Sequence, residues 1–186
     1  MTLAQERELL QRIKTDRKEF GTLFDHYYKP IFGYLYRRTG EYDLSKDMAA
    51  ETFLKAFLSI EKFVWQDVSI SSWLYRIATN EANLFFRRKK YLPLRLESVL
   101  NYEILRLTDT EAERKELESE LKHLEEFTLI QQKLKSLDVP YQEVISLRYF
   151  ESKDNREIGI ILNKPEGTVK SLLSRGLKKL RMLVLP

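Results

Sequence analysis

At 186 residues the chain is long enough for one large domain or two small ones, and its 43% hydrophobic, 32% charged composition excludes a disordered chain. Six glycines and five prolines are too few for a many-turned β architecture, and the lack of cysteine excludes disulfides and thiolate zinc sites and suits a reducing cytoplasm. The net charge of +4 is unevenly spread: residues 1–94 carry 16 Lys and Arg against 12 Asp and Glu, residues 95–127 carry 5 against 10, and residues 128–186 carry 11 against 6. Two basic segments flanking an acidic connector suggest two sites for a polyanion, with ordinary surface variation as the plain alternative.

The N-terminal stretch MTLAQERELLQRIK alternates charged with apolar residues, unlike a signal peptide, and the longest apolar runs are far too short to span a membrane. Almost every later segment has helical spacing. Phe20, Leu23, Phe24, Tyr27, Ile31, Tyr34 and Leu35 recur every three or four residues; Pro30 should kink that helix or mark its middle, and Gly40 should end it. Asp43 is placed to cap a second helix, LSKDMAAETFLKAFLSIEKF. VWQDVSISS, polar and β-branched, reads as a loop, and a third helix is expected from about Ser72 to Lys90, stopped by Pro93. Residues 94–110 lack periodicity and read as a linker. From Thr110 an apolar stripe through Leu117, Leu121, Leu124, Phe127, Ile130, Leu134 and Leu137 predicts a helix that forms a coiled coil or docks on the C-terminal module, and Pro140 punctuates it.

The C-terminal stretch is the most legible. Tyr141, Val144, Ile145 and Arg148 to Phe150 form a supporting helix. Asp154-Asn155-Arg156-Glu157 has the spacing of a capping box, and Ile158, Ile161 and Leu162 give the short helix after it one apolar face. Asn163 tolerates the left-handed backbone that ends a helix, and Pro165 suits the first turn of the next. That last helix divides cleanly: Val169, Leu172, Leu173, Leu177 and Leu180 on one face, Lys170, Ser171, Ser174, Arg175 and Lys178 on the other. Two short helices with a basic, hydroxyl-bearing outer face match a helix-turn-helix that would seat its second helix in a major groove, with a merely solvated basic face as the plain alternative. Lys, Arg and Ser reach phosphates or base edges, while Gly167 and Thr168 sit in the first turn, where free amides can hold a phosphate.

The N-terminal half holds a second nucleic-acid chemistry. Opening a duplex without ATP demands that lost stacking be replaced, and an aromatic contributes roughly 1–3 kcal/mol per stacked base. Residues 72–91 supply Trp73, Tyr75, Arg76, Asn80, Phe85, Phe86 and the run Arg87, Arg88, Lys89, Lys90. Trp73, Phe85 and Phe86 are of a kind more often found in a core, Tyr75 is open to the same reading, and the basic run also suits a helix C-terminus in solvent. Asp47 and Glu51 share a helix face at i and i+4, which a basic partner would explain. No second acidic cluster and no nucleophile or histidine arrangement accompanies them, and His26 and His123 lie far apart. Neither catalysis, nor a metal, nor any other cofactor is expected.

The segment PYQEVISLRYFESKDNREIGIILNKPEGTVKSLLSRGLKKLR, with its REIG, PEGTVKS and basic tail, resembles the −35-binding region of extracytoplasmic-function (ECF) sigma factors of bacterial RNA polymerase. DLSKDMAAETFLKAF and SSWLYRIATNEANLFFRRKK resemble the family's other domain, in the family's order. The resemblance implies an all-α protein of two small helical domains joined by a flexible linker: a promoter-melting domain at 1–93, an acidic linker at 94–127 and the helix-turn-helix at 128–186. It implies that Asp47, Glu51, Phe53 and Phe57 face the clamp of the polymerase β′ subunit. Trp73, Tyr75, Arg76, Asn80 and Arg87 to Lys90 would meet −10 DNA, the loop Val64 to Ser72 would take a flipped base, and Arg156, Lys170, Ser171, Ser174 and Arg175 would read the −35 element. Further partners implied are the β-subunit flap and an anti-sigma factor, and the acidic linker would run through basic polymerase channels. Ala50 where Gln is common, Leu84 where an acid is common, and ESKDNREIG in place of a Gly-Leu-Ser lead-in depart from the pattern, and bear on polymerase affinity and promoter sequence. Two other readings use the same residues: a dimeric regulator whose N-terminal half is a sensor, and a DNA enzyme, which lacks a site.

Overall fold

The computed structural model describes residues 1–65, 68–89 and 132–184, with the backbone alone at 88 and 89. All secondary structure among these residues is helical. Helix α1 (Leu3–Thr15) opens on a capping box: Thr2 Oγ1 accepts from the Gln5 amide and Gln5 Oε1 from the Thr2 amide. It buries Leu9, Leu10 and Ile13. A 3-10 turn (Arg17–Glu19) leads into α2 (Phe20–Thr39), which runs through Pro30 and stops at Gly40, whose φ of 74° is left-handed and whose amide donates to the Tyr36 carbonyl. Helix α3 (Tyr42–Ser59) starts earlier than the sequence suggests. Asp43 lies in its first turn, and the N-cap position belongs to Glu41, whose carbonyl accepts from both the amide and the hydroxyl of Ser45.

Helix α4 (Ile70–Lys89) begins where Glu6 of α1 meets it. The Glu6 carboxylate is 2% exposed and accepts from the Ile70 amide at 2.8 Å, the Ser69 hydroxyl at 2.8 Å and the Tyr27 hydroxyl. A carboxylate suits a helix N-terminus, where unpaired amides point outward. Helices α2, α3 and α4 form a bundle around Leu23, Ile31, Tyr34, Leu35, Phe53 and Leu74. Ala49 and Ala56 of α3 and Ala78 and Ala82 of α4 are buried in the same core, short side chains that allow close helix approach.

Among the described residues the C-terminal unit starts with a helical turn at 132–135 that buries Leu134; Leu137 comes next in the core. The rest of the apolar stripe expected from Thr110 lies outside the described residues. Helix α5 (Val139–Ile145) has Pro140 in its first turn and continues into a π-helical turn (Ser146–Phe150). Helix α6 (Asn155–Leu162) and helix α7 (Glu166–Val184) complete it around Val144, Ile145, Leu147, Ile158, Ile161, Val169 and Leu172. Gly176 marks where α7 crosses α5: a Cβ there would lie 3.1 Å from Ile145 and 3.2 Å from Tyr141. Beyond that crossing α7 keeps only a partial hold on the core: Leu180 is partly buried against it, and Leu177, expected on the inner face, is 37% exposed.

Candidate nucleic-acid interface

The helix-turn-helix is set by its own local bonds. Asp154 Oδ1 accepts from the Glu157 amide at 2.8 Å, and Glu157 Oε2 from the Asp154 amide at 3.0 Å. Asn163 ends α6 with a φ of 53°. The turn is tight because Gly159 has no side chain; a Cβ there would sit 2.8 Å from the Lys164 carbonyl oxygen. With Val169, Leu172 and Leu173 sealed inward, α7 presents Lys170, Ser171, Ser174, Arg175 and Lys178 outward, all exposed. Arg156 of α6 is exposed as well. Part of this strip is held at rest along the helix: Lys170 pairs with Glu166 at 2.9 Å, and Arg175 donates to the Ser171 carbonyl at 3.2 Å. Pro165 precedes the first turn instead of lying in it, and its carbonyl accepts from the Thr168 amide at 2.9 Å. Thr168 therefore does not offer the free amide expected of it, whereas Gly167 faces open space.

On α4 the expected DNA residues separate into two groups. Arg76, Asn80 and Arg87 are exposed. Trp73 is partly buried, its ring 4.8 Å from that of Phe63, and Phe85 and Phe86 also pack against the core. Tyr75 is a correction: it is 3% exposed, its ring edge-on to Tyr34 and its hydroxyl donating to Glu151. It cannot stack on a base in this arrangement. The side chains of Arg88 and Lys89, together with Lys90, Gln66 and Asp67, lie outside the described residues.

Asp47 and Glu51 are exposed on α3. Glu51 pairs with Lys55, which also reaches Glu81 at 2.7 Å, and the hydrogen bond to Glu81 raises the ammonium pKa. Phe53 is a second correction: it is 3% exposed, packed between Phe24 and Tyr28. Phe57 is half-buried against Phe20 with the Arg17 guanidinium over its ring. The apolar side chains that α3 turns to solvent beside Asp47 and Glu51 are Leu54, 51% exposed, and Leu58, 65% exposed. Sequence reading missed them, although their spacing from Asp47 and Glu51 is helical and the buried set Ser45, Met48, Thr52 and Ala56 already defines the opposite face.

The two helical units meet through α4 and α6. Glu151 accepts from Arg37 and from Tyr75. Glu143 pairs with Arg38 at 3.7 Å and accepts from Asn83 at 2.7 Å. Lys153 donates to Ser71 at 2.6 Å, and Ser72 donates to Glu157 at 3.3 Å. Arg76 and Arg156, expected to meet different promoter elements, line one depression with Lys164.

Burial raises the Tyr75 pKa, and the Glu151 carboxylate beside it raises it further. The closed arrangement therefore favours the protonated phenol, while a separated N-terminal unit would ionise Tyr75 near the usual value of about 10. Its contribution to closure is complete below that pH and is lost as pH rises above it. Small-angle X-ray scattering should show a constant radius of gyration from pH 7 to 9 and expansion above about 10. The Tyr75→Phe variant should lack that step; an identical alkaline expansion in the variant would assign the step to other groups.

Among the described residues no helix is long and apolar enough to cross a membrane, and no group of three or more His, Cys, Asp or Glu could hold a metal ion. Residues 23–91 match the family described as Sigma-70 region 2, and residues 127–180 the family described as Sigma-70, region 4. The chain is 33% identical to the ECF RNA polymerase sigma factor SigW of Bacillus subtilis (strain 168), with 97% of both proteins covered. It is 30% identical to the ECF RNA polymerase sigma-E factor of Haemophilus influenzae, covering 97% of this chain and 96% of that one. Among solved structures, CnrH in complex with the cytosolic domain of CnrY superposes with a TM-score of 0.68 at 20% identity over 96% of each chain. The sigma factor RpoE in complex with the anti-sigma factor NepR from Bartonella quintana gives 0.66 at 18% identity, over 90% of this chain and 97% of that one.

Proposed function

Because the chain belongs to the ECF sigma factors, and so is an RNA polymerase sigma factor that initiates promoter-specific transcription, we propose a division of labour among its parts. Residues 1–93 bind core polymerase and open the −10 element, residues 94–127 tether, and residues 128–186 read the −35 element as duplex. The protein is a dissociable specificity subunit of the cytoplasmic polymerase, with no catalysis of its own. On α3, Asp47, Glu51 and Phe57 face the β′ clamp, joined by Leu54 and Leu58, while Phe53 supports them from inside. On α4, Arg76, Asn80 and the basic run from Arg87 to Lys90 meet −10 DNA, with Trp73 at its edge. Arg156, Gly167, Lys170, Ser171, Ser174, Arg175 and Lys178 form the −35 face, and the same unit meets the β flap. CnrH and RpoE were each solved with a bound protein; an anti-sigma factor is the corresponding partner here.

The observation that carries this reading is the unbroken exposed strip of Lys, Ser and Arg on α7, opposite the buried Val169, Leu172, Leu173 and Gly176. The test is reconstitution: purified chain, core polymerase and a promoter library. A stable core complex with promoter-specific transcripts is expected, and the reading fails without both. Within it, Lys170→Ala and Arg175→Ala should each cost about 1–3 kcal/mol of promoter affinity and relax selection at one base position. Equal weakening on every sequence would instead make them phosphate contacts.

A further inference from the structure

The contact between the two units has unusual chemistry for a simple packing surface. Arg37 and Arg38 stand side by side on α2, and each meets a carboxylate from the other unit, Glu151 and Glu143. Those carboxylates are almost fully enclosed, at 5% and 7% side-chain exposure, and Arg38 at 1%. Tyr75 and Asn83 complete the wall, each donating to one carboxylate. Two guanidinium forks, a phenol and a side-chain amide are the donors proteins place around phosphate oxygens. The notch also adjoins the exposed polar stripe of α4, because Asn83 shares a depression with Asn80 and Arg87.

Separating the units takes two enclosed carboxylates away from two guanidiniums. That step returns all four charges to water and leaves the guanidiniums, the phenol and the amide without the anions they hold when closed, free to take another. We propose that Arg37, Arg38, Tyr75 and Asn83 form a phosphodiester-binding notch, filled in this closed arrangement by Glu143 and Glu151 and, once the units part, by the backbone of single-stranded promoter DNA. The C-terminal unit and the DNA strand thus compete for one set of donors. The notch rests on the proposed function, in which α4 meets −10 DNA; it adds α2 to that surface and gives Glu143 and Glu151 the role of strand mimics.

The test uses the full chain and a fluorescent mixed-sequence single-stranded DNA 20-mer. Glu143→Gln with Glu151→Gln should enlarge the radius of gyration and tighten binding at least tenfold. Adding Arg37→Gln to that open background should weaken binding at least fivefold and reduce the slope of log affinity against log salt by about 0.7, the value for one lost phosphate contact on a single strand. If Arg37→Gln lowers the helical content, Arg37→Lys replaces it: the slope should hold while affinity falls, because a point charge loses the fork. Arg76→Ala in the same background separates the two ideas. If Arg76→Ala weakens binding and the Arg37 variants do not, the notch is overturned and the α4 reading stands. If none of them does, both are overturned. Opening without tighter binding would overturn the competition.

Discussion

Replacing Glu6 with alanine should destabilise the N-terminal unit by about 3–5 kcal/mol, a large part of the 5–15 kcal/mol that holds a typical domain folded. The side chain is 2% exposed and accepts from three donors on two other segments: Tyr27 of α2, Ser69, and the amide that opens α4. Alanine leaves the Tyr27 hydroxyl and the Ile70 amide enclosed without their acceptor, while Ser69 is partly exposed and keeps its contact with Ser71; each orphaned group costs about 1–3 kcal/mol. It also removes the negative group at the start of α4, the helix whose placement orders Arg76, Asn80 and Arg87. For a chain of this size the thermal midpoint should fall by roughly 6–20 °C. Glu6→Gln keeps an acceptor and should fall by less. A shift below 2 °C for alanine would mean that α1 is not what fixes the beginning of α4.

Loss of Leu54 and Leu58 should act on assembly instead of folding. Both side chains are more than half exposed in the free chain. Leu54→Ala with Leu58→Ala should therefore leave the melting midpoint within a degree or two. If these leucines are buried against the polymerase clamp as proposed, the pair should weaken core binding by about 2–4 kcal/mol, or roughly a hundredfold, since burying a leucine contributes about 1.5–3 kcal/mol and alanine keeps part of it. Phe53→Ala is the contrasting variant. It empties a core site between Phe24 and Tyr28, and should cost about 3–5 kcal/mol of stability. Fluorescence anisotropy of labelled chain against core enzyme measures the first, and urea denaturation the second. Unchanged core affinity in the double leucine variant would remove this face from the interface.

The difference between Phe53 and Leu54 shows where sequence reading runs short. Adjacent residues on a helix point about 100° apart, so an error of one position exchanges core for surface. An aromatic in a family motif is the natural choice, yet the buried rows of α3 take Phe53. The helix-turn-helix is legible because each of its determinants is local: the Asp154–Glu157 box spans four residues, and the left-handed Asn163 ends its helix by itself. Pro165 lies one position before the place its sequence suggests, enough to engage the Thr168 amide. The contact between the units is not legible at all. Arg37 and Glu151 are 114 positions apart, and Tyr75 and Glu151 are 76 apart. No periodicity within either segment marks those acids as partners of those arginines, or marks Tyr75 as a side chain held between Tyr34 and Glu151.

The π-helical turn at Ser146–Phe150 acts as a phase corrector. Glu143 and Glu151 lie eight residues apart on either side of it, and eight residues of regular α-helix rotate through about 800°, leaving about 80° between two side chains meant for neighbouring arginines. The wider turn accommodates one extra residue, so the pair behaves more like residues seven apart, separated by only about 20°. Drawing the same eight residues into regular α-helix would swing Glu151 by about 100° away from Arg37 with the composition unaltered, whereas excising one residue from the turn would keep the two acids within about 20°. The angular alignment of the two acids, and with it the meeting of the two halves of the protein, thus depends on a turn wide enough to absorb one residue.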